Sequence, residues 1–531
     1  MFDHALIHGI VIDGSGDRPR RANVYISGGR VARVCESILP AAEVFDASEH
    51  IICPGFIDIH THSDLTPYGA PQFESYVHQG VTTCLCGNCG TSFVPHSPPE
   101  HEPKLEQAAR THFPGGLSWA QAMDTAAYLE EITGRCANNV GTFVGHGALR
   151  NMCMENPRAD APTPDELVRM QALLRRELEA GAFGLSLGLI YVPGIYAGTE
   201  ELIALARIAA EYGAVVPIHM RSEAAHVFKA VREVGRIGLE SGAHVHISHF
   251  KIMDSGLWGQ ADALLALADD FIARGVRLDF DQYPYLASAT PLSSCLPGHF
   301  RRLSHEAQRQ VLADPKQYRQ LVPEIESDPH FSIGADRVLV TSTSGFAPAW
   351  DGRFLSDIAE ELDVAPVEAY RRVMLASDLT ASGCYFTMHR PDALRIAMRD
   401  DVSVVSDSTA VDMFSHGMVG VPHPRTSGAF VRFLRMNRKL GLMPLEKAVH
   451  KMTGLPAHQM NIAGRGLLRE GFRADVVVFD PQTVSDCGTY ADPAQTAVGI
   501  DRVMLNGAWI RIGDRFTGLT PGQGLRRGID A

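Results

Sequence analysis

No apolar run in this 531-residue chain approaches the roughly 20 residues that a membrane-spanning helix needs. The start, "MFDHALIHGIVIDG", also lacks the basic segment and long apolar core of a secretory signal. Cysteine is sparse. Ten thiols are scattered along the chain and do not form a secreted disulfide framework. These absences make a cytoplasmic location with reduced thiols the expectation. Positive charge is in short supply. Lysine and arginine total 48 against 61 aspartates and glutamates, for a formal net charge of −13. Such a surface repels nucleic acid and anionic membranes, which leaves a small molecule as the expected partner. An anionic substrate then needs a local cationic pocket. Internal repeats and low-complexity tracts are absent as well. What remains is an ordinary globular composition, 45% hydrophobic and 21% charged, long enough for one large domain and a smaller one.

The two chain ends look alike. "ANVYISGGRVARV" alternates apolar and polar residues around Gly-Gly, and "VMLNGAWIRI" does so around Asn-Gly. Both are hairpin patterns. Neither end holds enough strand to bury a core alone, so the two are expected to pack together as one small β-domain. The middle has another rhythm. Apolar β-branched runs such as "GFIDIH", "VTTCLC", "AFGLSLG", "VVPIHM", "HVHISHF", "RLDFDQYPY", "RVLVTS", "CYFTMH" and "VSVVSD" alternate with amphipathic helical stretches. One helix should start at Thr-Pro-Asp-Glu (163–166) and stop at Gly181. Buried strands alternating with helices imply a parallel sheet. The expected fold is α/β: a (β/α)8 TIM-like barrel, with an open doubly wound sheet as the second choice. The expected division is 1–54 and 461–531 for the β-sandwich and 55–460 for the barrel. A charged helical lobe is inserted at about 301–330. Ten candidate runs exist, so at least two must lie outside an eight-stranded barrel.

Barrel strands converge at their C-terminal ends, and metal-capable residues recur there. The first run ends in His60 and His62, the second in "CLCGNCG", others in His219, in His249 followed by Lys251, and in Asp407. A lone buried histidine is an ordinary core residue. Five strands ending this way are not, because each buried imidazole or carboxylate needs its own partner. Imidazole, thiolate and carboxylate together suit zinc. A catalytic zinc keeps one position open for water and lowers that water's pKa to about 7. Asp407 is the natural general base and acid, since it ends the last strand beside the first. A closed structural zinc knuckle would need a second Cys pair, which the chain lacks. Cys84 and Cys86 are therefore expected inside a strand, and Cys89, flanked by small residues, is the expected thiolate ligand.

These motifs, with "PGFIDIHTHSD", "QGVTTCLCGNCGTS", "GLSLGLIYVPG", "IHMRSE", "ISHFK", "DQYPY", "PHPRTSGAF" and "ADVVVFDP", resemble the amidohydrolase superfamily and, within it, the D-aminoacylase family. The resemblance spans nearly the whole chain. It implies a barrel carrying a β-sandwich built from both ends. It implies a tight zinc site at Cys89, His219 and His249, and a second, weaker site at His60, His62 and Asp407. It implies zinc-dependent hydrolysis of N-acyl-D-amino acids to a D-amino acid and a carboxylate, with Asp407 as acid/base. "GNCG" argues against the hydantoinase and dihydroorotase branches, where a carbamylated lysine or a glutamate bridges the metals.

The implied substrate carries an α-carboxylate. Lys251 is placed to hold it, and Tyr283 and Ser288 match family positions that do so. Tyr191, in "LIYVPG", is expected to line the pocket. Arg301 and Arg302 are either added charge or lobe surface. Arg390, in "TMHRPD", either selects an acidic side chain or is a solvated loop residue. The stretch "STAVDMFSHGMVG", directly after Asp407, departs from the family pattern and is expected to touch substrate. The rival readings are a cyclic-amide hydrolase, a deaminase, or a non-catalytic binding module of the same fold.

Overall fold

A computed structural model describes residues 1–96, 123–414 and 418–529. Its organising feature is a series of short parallel strands separated by helices. Phe56–Asp58, Val81–Cys86 and Asn139–Thr142 form one parallel sheet of three strands. A six-stranded parallel sheet runs through Val144–Gly145, Leu185–Gly188, Val215–His219, His244–Ile247, Leu278–Gln282 and Val402–Val404. Only Phe143 separates Asn139–Thr142 from Val144–Gly145, so the two sheets follow one another along the chain. An isolated parallel bridge, Thr61 to Ser408, joins the chain just beyond the first strand to the chain just beyond the last.

The two-residue period of a strand sorts the side chains. Val245, Ile247, Leu278 and Phe280 share an apolar cluster with residues of the helices Thr199–Glu211, Val227–Ser241 and Ala261–Ala273. The alternate residues His246 and Asp281 are equally buried but polar, and they face the other way. The helix expected over 163–181 starts and stops where local chemistry says it should. Pro164–Glu179 opens on a capping box: the Thr163 side chain accepts from the Glu166 N–H, and Glu166 accepts from the Thr163 N–H. It ends before Gly181, whose φ of +113° a side chain would resist.

Both expected hairpins form. Asn23–Ser27 pairs with Arg30–Cys35 across Gly28-Gly29, and Ile500–Leu505 pairs with Ala508–Ile512 across Asn506-Gly507. All four turn residues have positive φ, as the two-residue turn of a twisted hairpin requires. Val476–Phe479 pairs antiparallel with Ile51–Pro54, which puts both chain ends in one seven-stranded sheet. That sheet shares a core with the four-stranded sheet of residues 2–46. Leu6, Val24 and Ile26 pack with Ile52, Val476 and Met504.

"RVLVTS" and "CYFTMH" lie outside the parallel ladder. Val338–Ser342 and Ser382–Tyr385 pair antiparallel in a separate four-stranded sheet with Ser288–Pro291 and Arg353–Phe354. The helices His305–Ala313 and Pro315–Ser327 pack on this sheet through Leu312, Tyr318 and Ile325. The inserted unit is thus larger than the 301–330 stretch read from the sequence. Val338–Ser342 is buried throughout and Ser382–Tyr385 nearly so, and these two therefore show the same continuous apolar pattern as ladder strands. Among the described residues, no helix is long and apolar enough to cross a membrane.

Candidate metal centre

The turn after Val81–Cys86 is built to aim one side chain. Gly87, Cys89 and Gly90 all have positive φ. A Cβ on Gly87 would lie 2.3 Å from the Phe143 carbonyl oxygen, and one on Gly188 would lie 1.8 Å from that of Cys89. Only glycine allows such close backbone approach. The buried Asn88 amide donates to the carbonyls of Ile59, Thr61 and Leu85, tying the turn to the first strand. Cys84 and Cys86 stay in the strand as inert thiols, and burial pushes both well above the ordinary thiol range.

Five metal-capable side chains, His60, His62, His219, His249 and Asp407, gather around Cys89 from across the ladder. Its Sγ lies 3.3 Å from His60 Nε2, 3.6 Å from His219 Nδ1 and 3.6 Å from His249 Nε2. Asp407 Oδ1 lies 3.2 Å from His62 Nε2 and 3.5 Å from His60 Nε2. Three overlapping groups each bring their donor atoms within 4.8 Å of one another: Cys89–His219–His249, His60–His62–Cys89 and His60–His249–Asp407. His60 and His62 sit beyond the strand Phe56–Asp58 and not on it, with Thr61 between them making the bridge to Ser408. Cys89, His249 and Asp407 have φ of +52°, +37° and +51°. Such backbone is strained for a non-glycine residue and clusters at functional sites.

A second layer orients these groups. His249 Nδ1 lies 2.8 Å from Glu223 Oε1, and His60 Nδ1 lies 3.1 Å from Asp281 Oδ2. Asp281 also accepts the His249 N–H at 2.6 Å. Carboxylates behind imidazoles fix ring orientation and tautomer. The electrostatics suit cation ligands. Burial alone would push the Cys89 thiol up. The charge on His60, with hydrogen bonds from His219, His249 and His60, instead holds it well below an ordinary thiol. Burial and the neighbouring His249 keep His219 below its usual range, so it stays neutral and able to ligate. Burial would raise Asp407, but Arg425 first, then His249, His62 and His60, hold it well below the carboxylate range.

The model of the family described as "Amidohydrolase family" matches residues 43–273 and 375–510. The D-aminoacylase of Alcaligenes xylosoxydans xylosoxydans is 34% identical over 99% of this chain and 98% of its own. The chain belongs to the amidohydrolase family, in its D-aminoacylase group. The N-acyl-D-glutamate deacylase of the same organism is 36% identical to this amidohydrolase, over 95% of this chain and 93% of its own. The crystal structure of the N-acyl-D-glutamate deacylase of Bordetella bronchiseptica, complexed with zinc and a phosphonate inhibitor, is 35% identical with a TM-score of 0.83. That match covers 99% of each chain.

The amidohydrolase's own donors fit a divalent ion of the zinc class: one thiolate, several imidazoles and a carboxylate, buried and mutually close. The buried His219 Nε2 has no hydrogen-bond partner among the described residues, Glu223 Oε2 lying 3.8 Å away, and its Nδ1 faces Cys89.

The other sequence candidates divide. Tyr283 Oη and Ser288 Oγ are buried and unpartnered among the described residues, as groups awaiting a ligand would be. The Tyr191 ring packs on His219 with centroids 4.9 Å apart, and its hydroxyl lies 3.2 Å from Thr290 Oγ1. Lys251 is not a free clamp. Its ammonium donates to Glu223 Oε1 at 2.5 Å and to the His249 carbonyl at 3.0 Å. Arg301 is half-buried and donates to the Ile190 carbonyl, beside Tyr191. Arg302 pairs with Asp160 and stacks on Tyr196, away from the cluster. Arg390 is exposed at the start of the helix Arg390–Ala397 and does not reach the cluster. Of the segment after Asp407, residues 415–417 lie outside the described residues.

Three residues were not singled out from sequence: Glu223, Asp281 and Arg425. The first two stood inside quoted motifs, "IHMRSE" and "DQYPY", as unnamed carboxylates. Arg425, from "PHPRTSGAF", is buried, donates to Asp407 Oδ2 at 2.8 Å and lies over the Tyr283 ring at 4.7 Å. Its burial depends on the fold, so the sequence alone carried no signal that would single it out.

Proposed function

We propose that this amidohydrolase hydrolyses the amide bond of N-acyl-D-amino acids, releasing a D-amino acid and a carboxylate. The observation that carries this reading is the Cys89-centred cluster beside a buried cation and two unpartnered hydroxyls. The D handedness is carried over from the D-aminoacylase and N-acyl-D-glutamate deacylase relatives. Cys89, His219 and His249 would hold a tightly bound zinc, and His60, His62 and Asp407 a second, weaker one. When bound, such an ion polarises the acyl carbonyl and acidifies water at neutral pH.

The chain's own residues then bind, orient and move protons. Arg425, Tyr283 Oη and Ser288 Oγ receive the substrate's α-carboxylate, a charge-assisted arrangement. Asp407 takes the proton of the attacking water and returns it to the leaving amine. Arg425 links the two events. Paired with Asp407 it keeps that carboxylate too acidic to be a good base. A substrate carboxylate that draws Arg425 away removes the largest of the charges that hold Asp407 down and so makes it more basic. Tyr191 and Thr290 line the adjoining wall. Lys251 acts through Glu223, which it holds in the ionised state that orients His249.

We also infer that residues 55–460 form the metal-bearing barrel, closed at eight strands, with 1–54 and 461–531 as the β-sandwich. The continuous parallel ladder, the Thr61–Ser408 bridge and the shared terminal sheet support this. The ten free cysteines support a reducing, cytoplasmic setting.

The test is a panel of N-acetyl-D- and N-acetyl-L-amino acids with Met, Leu, Phe, Glu and Asp side chains, given to zinc-loaded protein. Free amino acid should appear from at least one D substrate about a hundredfold faster than from its L form. Equal cleavage of both hands, or release of ammonia, would overturn the reading. Tyr283→Phe should raise KM for the best D substrate about tenfold, the worth of one hydrogen bond to a charged group. Its kcat should fall much less. An unchanged KM would remove Tyr283 from the carboxylate site.

A further inference from the structure

A cavity of about 390 Å³ opens on the outer side of the ladder, between the helices Arg390–Ala397 and Arg425–Leu440. None of the six metal-capable side chains lines it. Its floor is the strand Val402–Val404 and the segment 282–286. Apolar residues dominate the wall, among them Leu286, Leu394, Phe433 and Met436. The volume falls in the range of small-molecule sites.

The charge of the lining is lopsided. Arg390, Arg432, Arg435 and Lys439 contribute to it, and no aspartate or glutamate does. In a chain with 61 acidic residues and a net charge of −13, four cations with no acid is a local reversal of sign. Two of the four are committed. Arg432 and Arg435 share the buried carboxylate of Asp486, at 3.1 and 2.8 Å, and Arg432 also lies over the Tyr285 ring. Arg390 and Lys439 are exposed and have no ion-pair partner among the described residues. The pattern is an apolar pocket with a cationic mouth.

We propose that this cavity is a second binding site, for an amphipathic carboxylate whose aliphatic tail enters between the two helices and whose carboxylate meets Arg390 and Lys439. Arginine and lysine recognise a carboxylate by charge-assisted hydrogen bonds, and the tail buries apolar surface. Occupancy is within reach of the metal centre. Tyr283 lines the cavity, and Arg425 and Lys251 Nζ lie 4.7 and 5.6 Å from its ring centre. The proposal does not rest on the deacylase reading.

Calorimetry of the zinc-loaded protein with octanoate, octanol and inorganic phosphate tests it. Octanoate should bind, with octanol and phosphate each at least about tenfold weaker, since each lacks one half of the recognition. Lys439→Glu should weaken octanoate by about tenfold or more. It should leave kcat/KM for a D substrate unchanged when octanoate is absent. Ala393→Phe, which fills the cavity from the helix, should abolish binding. Absence of binding to the wild type, binding of octanol or phosphate as tight as octanoate, or octanoate binding unaltered in Lys439→Glu would each overturn the proposal. The last result would put octanoate at the metal centre instead.

Discussion

Asp407→Asn should lower kcat by about 10³-fold, within the range that general acid–base catalysis supplies, while the ion at Cys89, His219 and His249 stays bound. The amide has the shape of the carboxylate, so its one oxygen still accepts from Arg425 while its NH2 turns toward His62, but it cannot take or return a proton. Shape matters here. Asp407 and Arg425 are both buried, and Asp407→Ala would strand the guanidinium at a cost of about 3–5 kcal/mol. The asparagine variant avoids that collapse, so its rate loss reads chemistry and not unfolding. Metal analysis and single-turnover rates on the same preparation separate the two. A turnover within about threefold of the wild type would remove Asp407 from the proton path.

Cys89→Ser should lose most of the tightly bound metal and, with it, about 10³-fold or more of kcat/KM. Cys89 Sγ lies within 3.6 Å of three imidazoles, so it holds the group together. Serine keeps the volume and adopts the same turn, but its hydroxyl is a poor ligand for zinc beside neutral imidazoles. Chelation followed by added zinc should restore the wild type and not the variant. Wild-type metal content in Cys89→Ser would show that the sulfur is not a ligand.

The cluster of metal-capable side chains was legible because each of them ends or follows a strand. A strand's exit is marked by the switch from apolar to polar residues, so His60, His62, Cys89, His219, His249 and Asp407 could each be placed at one rim. Hairpins at Gly28-Gly29 and Asn506-Gly507 were legible for a local reason: two consecutive residues tolerant of positive φ. What sequence did not give depends on partners far away in the chain. Lys251 reads as a free cation until Glu223, 28 residues earlier, is seen holding it. Arg425 reads as a helix start until the chain brings it against Asp407. Arg390 reads equally as a specificity residue or a solvated arginine, and the structure leaves it exposed at the start of its helix. Val338–Ser342 and Ser382–Tyr385 look like ladder strands because burial on both faces gives one pattern whatever the sheet.

X-ray absorption at the zinc edge of the zinc-loaded protein tests the Cys89-centred site most directly. One sulfur at about 2.3 Å with nitrogen and oxygen at about 2.0–2.2 Å is the predicted first shell, with the sulfur gone in Cys89→Ser. A wild-type shell of nitrogen and oxygen alone would contradict it.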